Sequence, residues 1–218
     1  MSQIMNERVK CAVCGQFSTQ INLISTNQLG SPDLDLRPAP MARDTMAWWL
    51  QACPHCFYVA EDLRQESPVS LSWLAREQYR TADGISFPTE LARNFYRRHL
   101  IAAEMGHTGE AYAAVLHAAW VCDDEGDCEN AVRCRKLALT FLDDAIEKSG
   151  PNEDMIMIRA DLLRRSGQFD KLIREYSDRT FSKAILNDIV AFQLKRAAEK
   201  DTQCYTIAQA CDKPDETT

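Results

Sequence analysis

Two short cysteine pairs constrain this chain more than any other feature. Cys11-Ala-Val-Cys14-Gly15 and Cys53-Pro-His-Cys56 are CxxC pairs with 38 residues between them. Two thiolates at this spacing form a tight knuckle whose backbone N-H groups can point at the sulfurs, and each sulfur can bind one zinc ion at about 2.3 Å. Two knuckles complete a tetrahedron. Four sulfurs leave no open position for water, which is the arrangement of a structural metal. The expected ligands are therefore Cys11, Cys14, Cys53 and Cys56, the expected ion is Zn2+, and the residues between the pairs must leave the site and return.

Cys53-Pro-His-Cys56 has a second chemical reading. The same motif serves strongly oxidising thiol-disulfide oxidoreductases of thioredoxin type, where a helix N-terminus stabilises the nucleophilic thiolate. That reading needs a strand before Cys53 and a helix from Cys56 within a mixed sheet, and it leaves Cys11 and Cys14 unexplained. The other cysteines have ordinary explanations. Cys122 and Cys134 fall in apolar stripes and are expected as small buried hydrophobes. Cys204 and Cys211 lie near a tail expected to be mobile.

Around these pairs the composition changes near residue 66. Residues 1–66 hold both pairs, alternating segments such as 19–24, and a turn-rich stretch with Gly30, Pro32, Pro38 and Pro40. They are expected to form a small zinc-ribbon-like module of short strands and loops. From Ser67, a plausible N-cap followed by Pro68, the periodicity becomes helical. Ala111, Val115, Ala118 and Cys122 make one stripe, and Ala131, Cys134, Ala138, Phe141 and Ala145 make the next. Breakers recur at Gly106, Gly126, Gly150 with Pro151, and Gly167. The resulting steps suit stacked helical hairpins, and 156–176 carries Ala160, Gly167, Phe169 and Tyr176 at tetratricopeptide-like positions. A helix with Ile185, Ile189 and Phe192 on one face caps the stack. The expected fold is mainly α, with a ribbon-like module over 1–66, a tetratricopeptide-like domain over 67–200 able to fold by itself, and a mobile tail over 201–218.

Charge and targeting signals narrow the function. The chain carries 25 Lys and Arg against 32 Asp and Glu, a net charge of -7, with -2 in residues 1–66 and -5 beyond. Such a balance argues against nucleic acid held by broad phosphate neutralisation. The first ten residues lack a secretory apolar run, and no stretch is long and apolar enough for a membrane span, so a cytoplasmic location away from membranes is expected. His99, His107 and His117 form no HExxH motif, and the acidic run 123–129 lacks calcium-loop spacing; Asp127 reads as a helix N-cap. Arg93, Arg97 and Arg98 read as a solvated face. His55 is expected to face solvent within its knuckle.

The run from Asn27 to Leu63 carries a more specific signal. Gly30-Ser-Pro-Asp-Leu-Asp35, Arg37-Pro38, Met41, Arg43-Asp-Thr-Met46, Trp49, Cys53-Pro-His-Cys56 and Tyr58-Val-Ala60 resemble a bacterial family of unknown function, over roughly residues 8–198. The resemblance implies an N-terminal double-CxxC metal element joined to a tetratricopeptide-like helical region, and it implies no activity. Phe57 departs from it, standing where the family usually has glycine, which predicts a less tight second knuckle. The function expected is a non-enzymatic zinc-binding scaffold for a protein partner. The rivals are an enzyme whose site uses Asp33, Asp35, Arg37, Arg43 and Asp44 in the loop between the pairs, and nucleic-acid binding through the ribbon.

Overall fold

The computed structural model describes residues 2–150 and 152–212. The chain is mainly helical with a small N-terminal antiparallel strand module. Strands β1 (Gln3–Lys10) and β2 (Phe17–Ser25) form a hairpin whose turn is the first knuckle. A 3-10 helix (Arg43–Trp48) follows, then the two-residue strands β3 (Gln51–Ala52) and β4 (Val59–Ala60), which flank the second knuckle.

Nine α-helices come next among the described residues: α1 (Leu71–Leu74), α2 (Glu77–Gly84), α3 (Glu90–Glu104), α4 (Thr108–Asp124), α5 (Cys128–Ser149), α6 (Glu153–Arg165), α7 (Phe169–Tyr176), α8 (Ala184–Ala198) and α9 (Ile207–Ala210). The helical stretch expected from Ser67 opens as two separate pieces. Ser70 rather than Ser67 caps α1, accepting from the Trp73 amide, and extended backbone at Arg76 separates α1 from α2. Asp127 caps α5 as its position predicts, accepting from the Asn130 amide. Gly106, Gly126, Gly150 and Gly167 all take positive φ between helices, a conformation that glycine adopts without the steric penalty of a Cβ. Pro151 lies outside the described residues.

α4 packs along α3 and α5, α6 packs on α5, and α7 and α8 close the far end against α6. Two apolar clusters result. The larger joins α3–α8 and takes in Leu34 and Met46 from the loop before the second knuckle. The smaller gathers Val9, Cys11, Cys53, Tyr58 and Leu63 around Trp73, Leu74, Tyr79 and Ile101. Buried packing therefore crosses residue 66 in both directions.

Charged side chains pin that loop to the helices. Asp35, whose side chain is fully buried, accepts from Trp120 Nε1 at 2.7 Å and faces Arg165 at 3.4 Å. Arg37 pairs with Asp124, and Arg135 and Arg165 both reach Asp123. The arginines hold the Asp123 carboxyl below its usual range although its burial opposes this. Asp33 pairs with Arg43 at 2.7 Å, and Asp44 accepts from the Met41 amide.

Residues 201–212 are not the mobile tail that composition suggests. Leu34 donates to the Tyr205 carbonyl, Ile207 donates to the Pro32 carbonyl, and Asp33 and Thr206 form an antiparallel bridge. Fully buried Arg164 donates to the carbonyls of Asp201 and Gln203 at 2.9 and 2.8 Å. The rest of the expected tail, 213–218, lies outside the described residues.

Two outcomes follow from this core. Asp35→Ala leaves the Trp120 indole N-H without its acceptor and Arg165 with Asp123 alone, so urea unfolding should show a loss of roughly 1–3 kcal/mol while the metal content of the protein stays unchanged. His117 sits among Trp49, Phe95 and Trp120, where burial pushes its pKa down to about 4 from 6.5. Between these values the unfolded chain binds the proton and the folded chain does not. Stability is therefore full above about pH 6.5 and declines as pH falls toward 4, by up to about 1.4 kcal/mol per unit for one proton. His117→Phe, which keeps the ring packing, should flatten this slope; an unchanged slope would assign the acid sensitivity elsewhere.

Candidate metal centre

The two knuckles have the same backbone. In the first, the Gly15 amide donates to the Cys11 carbonyl at 2.8 Å and the Cys11 amide donates to the Gln16 carbonyl at 2.9 Å. In the second, Phe57 donates to Cys53 and Cys53 donates to Tyr58, both at 2.9 Å. Each loop needs a left-handed residue at its fifth position, and Gly15 has φ of 73° and Phe57 φ of 63°. The second knuckle is therefore as tightly closed as the first, contrary to the expectation from the missing glycine. A left-handed non-glycine residue costs about 1–2 kcal/mol. Neighbours hold Phe57 in place: Tyr79 Oη donates to its carbonyl at 2.5 Å, and the guanidiniums of Arg80 and Arg97 lie 5.4 and 5.2 Å from its ring centre.

Opposed knuckles bring all four sulfurs within 4.8 Å of one another. Cys11 Sγ lies 3.8 Å from Cys56 Sγ, and Cys14 Sγ lies 3.6 Å from Cys53 Sγ. The edge of a tetrahedron built on metal–sulfur bonds of about 2.3 Å is about 3.8 Å, so these spacings fit one ion shared by four thiolates. Cys11 and Cys53 are buried, whereas Cys14 and Cys56 are half-buried. Burial pushes the Cys11 and Cys56 thiols up. A divalent cation supplies the positive charge that thiolates in such a setting require. Backbone amides of Val13 and Cys14 face Cys11, that of Gln16 faces Cys14, and that of Tyr58 faces Cys56, so part of the sulfur charge meets fixed N-H dipoles.

Hydrogen bonds around the knuckles fix their separation. Gln51 donates to Asn22 and accepts from the Leu63 amide, Gln20 donates to the Ala52 carbonyl, and Ala12 donates to the Leu63 carbonyl. The inner face of the hairpin is thus polar and reads the second knuckle through named bonds. Cys56 is followed by β4 and not by a helix, so the helix N-terminus that the thioredoxin-type reading needs is not at this thiol. His55 is exposed, with Nε2 3.3 Å from the Phe17 carbonyl.

The loop charges form no open constellation: Asp33, Asp35, Arg37 and Arg43 are each engaged in the ion pairs that fasten the loop. The arginine face expected on α3 is not simply solvated. Arg97 is buried between Asp83 and Glu90, at 2.7 and 2.6 Å, and Arg98 joins Glu61 to Glu110. Sequence spacing could not show this, because Asp83 and Glu61 reach α3 from other elements. Cys122 and Cys134 are buried as their stripes predict.

Purified protein should contain about one equivalent of metal. Cys11→Ser or Cys56→Ser should lose it and unfold the strand module, whereas Cys122→Ser and Cys134→Ser should retain it; elemental analysis and circular dichroism check both. A native Cys53–Cys56 disulfide with no metal would overturn this assignment.

Among the described residues no helix is long and apolar enough to cross a membrane. No curated protein and no solved structure matches the chain. A family model described as an uncharacterized protein conserved in bacteria (DUF2225) matches residues 4–203, and with nearly the whole chain covered, the protein belongs to that bacterial family.

Proposed function

We propose that the protein is a zinc-binding, non-enzymatic scaffold, in which the metal holds the ribbon-like module and the helical stack presents a surface to a protein partner in the cytoplasm. The observation that carries this reading is the four-sulfur cluster. A site with four thiolate ligands has no position left for water or substrate, so its ion holds structure and activates nothing. Thiolate ligands with near-tetrahedral spacing favour zinc among the divalent ions of the cell. A tetratricopeptide-like arrangement is supported by consecutive packing of α4–α8 and by buried Ala160 and Tyr176, the latter donating to the Ile156 carbonyl. The enzyme reading is weakened because the loop carboxylates and arginines are committed to one another.

The purified protein should give an X-ray absorption spectrum of zinc with four sulfurs at about 2.3 Å. His55→Ala should fold and bind metal like the parent. A partner identified in the source bacterium should form a complex with purified protein that persists at high salt and turns over no metabolite. Turnover abolished by His55→Ala would replace the scaffold with an enzyme. Association that weakens steeply with salt would replace it with a nucleic-acid binder.

A further inference from the structure

A second site lies on the outer side of the second knuckle. A cleft of about 600 Å³ opens between that knuckle and the helices α2 and α3, a size suited to a small metabolite. One wall is apolar, formed by Ala52, Pro54 and the Phe57 ring, which is 40% exposed. Arg80 from α2 and Arg97 from α3 pack against that ring, and Arg93 lines the cleft one turn before Arg97. Asp83 and Glu90 are the carboxylates of the cleft, so it holds three cations against two anions in a protein whose net charge is -7.

The arginines are not equivalent. Arg97 spends both terminal nitrogens on Asp83, Glu90 and Asn94 and serves the fold. Arg80 meets Asp83 with its Nε at 3.0 Å, and its side chain is half-exposed toward solvent. Arg93 meets Glu90 through Nη1, and its buried Nε has no hydrogen-bond partner. An unpaired buried N-H is costly, and a guanidinium with free donors beside an apolar wall matches an oxyanion joined to a carbon skeleton. The carboxylates already present occupy part of each guanidinium, and the donors left on Arg80 and Arg93 come from two helices, as a tetrahedral group with several oxygens requires.

We propose that this cleft binds a small phosphate monoester, with the phosphate between Arg80 and Arg93 and the carbon skeleton against Pro54 and Phe57. The proposal does not depend on the scaffold reading, although Cys53 of the sulfur cluster also lines the cleft.

The test is calorimetric titration of the full metal-loaded chain at low salt with ribose 5-phosphate, inorganic phosphate and succinate. Ribose 5-phosphate should bind at one site and at least as tightly as inorganic phosphate, and succinate should bind at least tenfold more weakly. Arg80→Gln and Arg93→Gln should each weaken ribose 5-phosphate at least tenfold with metal content and helical signal intact, whereas Arg179→Gln, on α7's side of the molecule, should not. On the unaltered chain, ribose 5-phosphate should protect Arg80 and Arg93, and not Arg179, from phenylglyoxal as mapped by mass spectrometry. Absence of saturable binding, equal binding of succinate, binding of inorganic phosphate alone, or protection that omits Arg80 and Arg93 would each overturn the assignment.

Discussion

Four cysteine sulfurs drawn from two distant knuckles lie closer together than charged thiolates tolerate without a cation, and the N-terminal architecture follows from that constraint. Closing the tetrahedron sets the distance between the β1–β2 hairpin and the β3–β4 turn. It also forces the residues between Ser25 and Gln51 away from the cluster and back. An excursion of that length has little reason to be ordered by itself, since closing a loop costs entropy and returns no packing. Here it is ordered because its charged residues find partners on helices. The cysteine cluster and the buried ion pairs therefore act on the same stretch of chain.

That arrangement explains why the module and the helices share their apolar clusters. Trp73, Tyr79 and Ile101 pack against the knuckles, and Leu34 and Met46 pack into the helical core. The polar contacts are of the kind that specify one geometry: Asp35 can reach Trp120 and Arg165 only in one placement of the loop. Buried ion pairs add little net stability compared with apolar packing, but a missing partner is expensive, so they penalise alternative dockings. Rigidity at the second knuckle has a similar origin. Phe57 holds a strained backbone because a tyrosine hydroxyl and two guanidiniums converge on it.

Much of this was legible in the sequence. The CxxC spacing picks out the four cysteines that cluster, the glycine breakers separate the helices, and the Asp127 cap follows from local rules. Local patterns fail where long-range partners decide. Arg97 looks like a surface residue on a helical wheel because Asp83 and Phe57, which bury it, belong to other elements. Asp123 reads as one member of an acidic turn, although Arg135 and Arg165 draw it inward. The change of composition at residue 66 marks a change in element type while packing continues across it. Phe57 breaks the glycine rule for its knuckle, and only the contacts around it show what holds the conformation.

The pairing of 204–208 with 31–34 bears on how the molecule is made. Cys204 Sγ contacts Asp33 and the Ala208 amide contacts Ser31, contacts that span 171 and 177 residues of sequence. Synthesis runs from the N-terminus, so the two knuckles can close early, while the segment that seals the loop is made long after them. Until then Leu34 and the buried carboxylates wait beside helices that are still incomplete. Such high sequence separation slows the final step and leaves apolar surface exposed meanwhile. The segment 204–208 thus acts as a latch on a loop that was translated 171 to 177 residues before it.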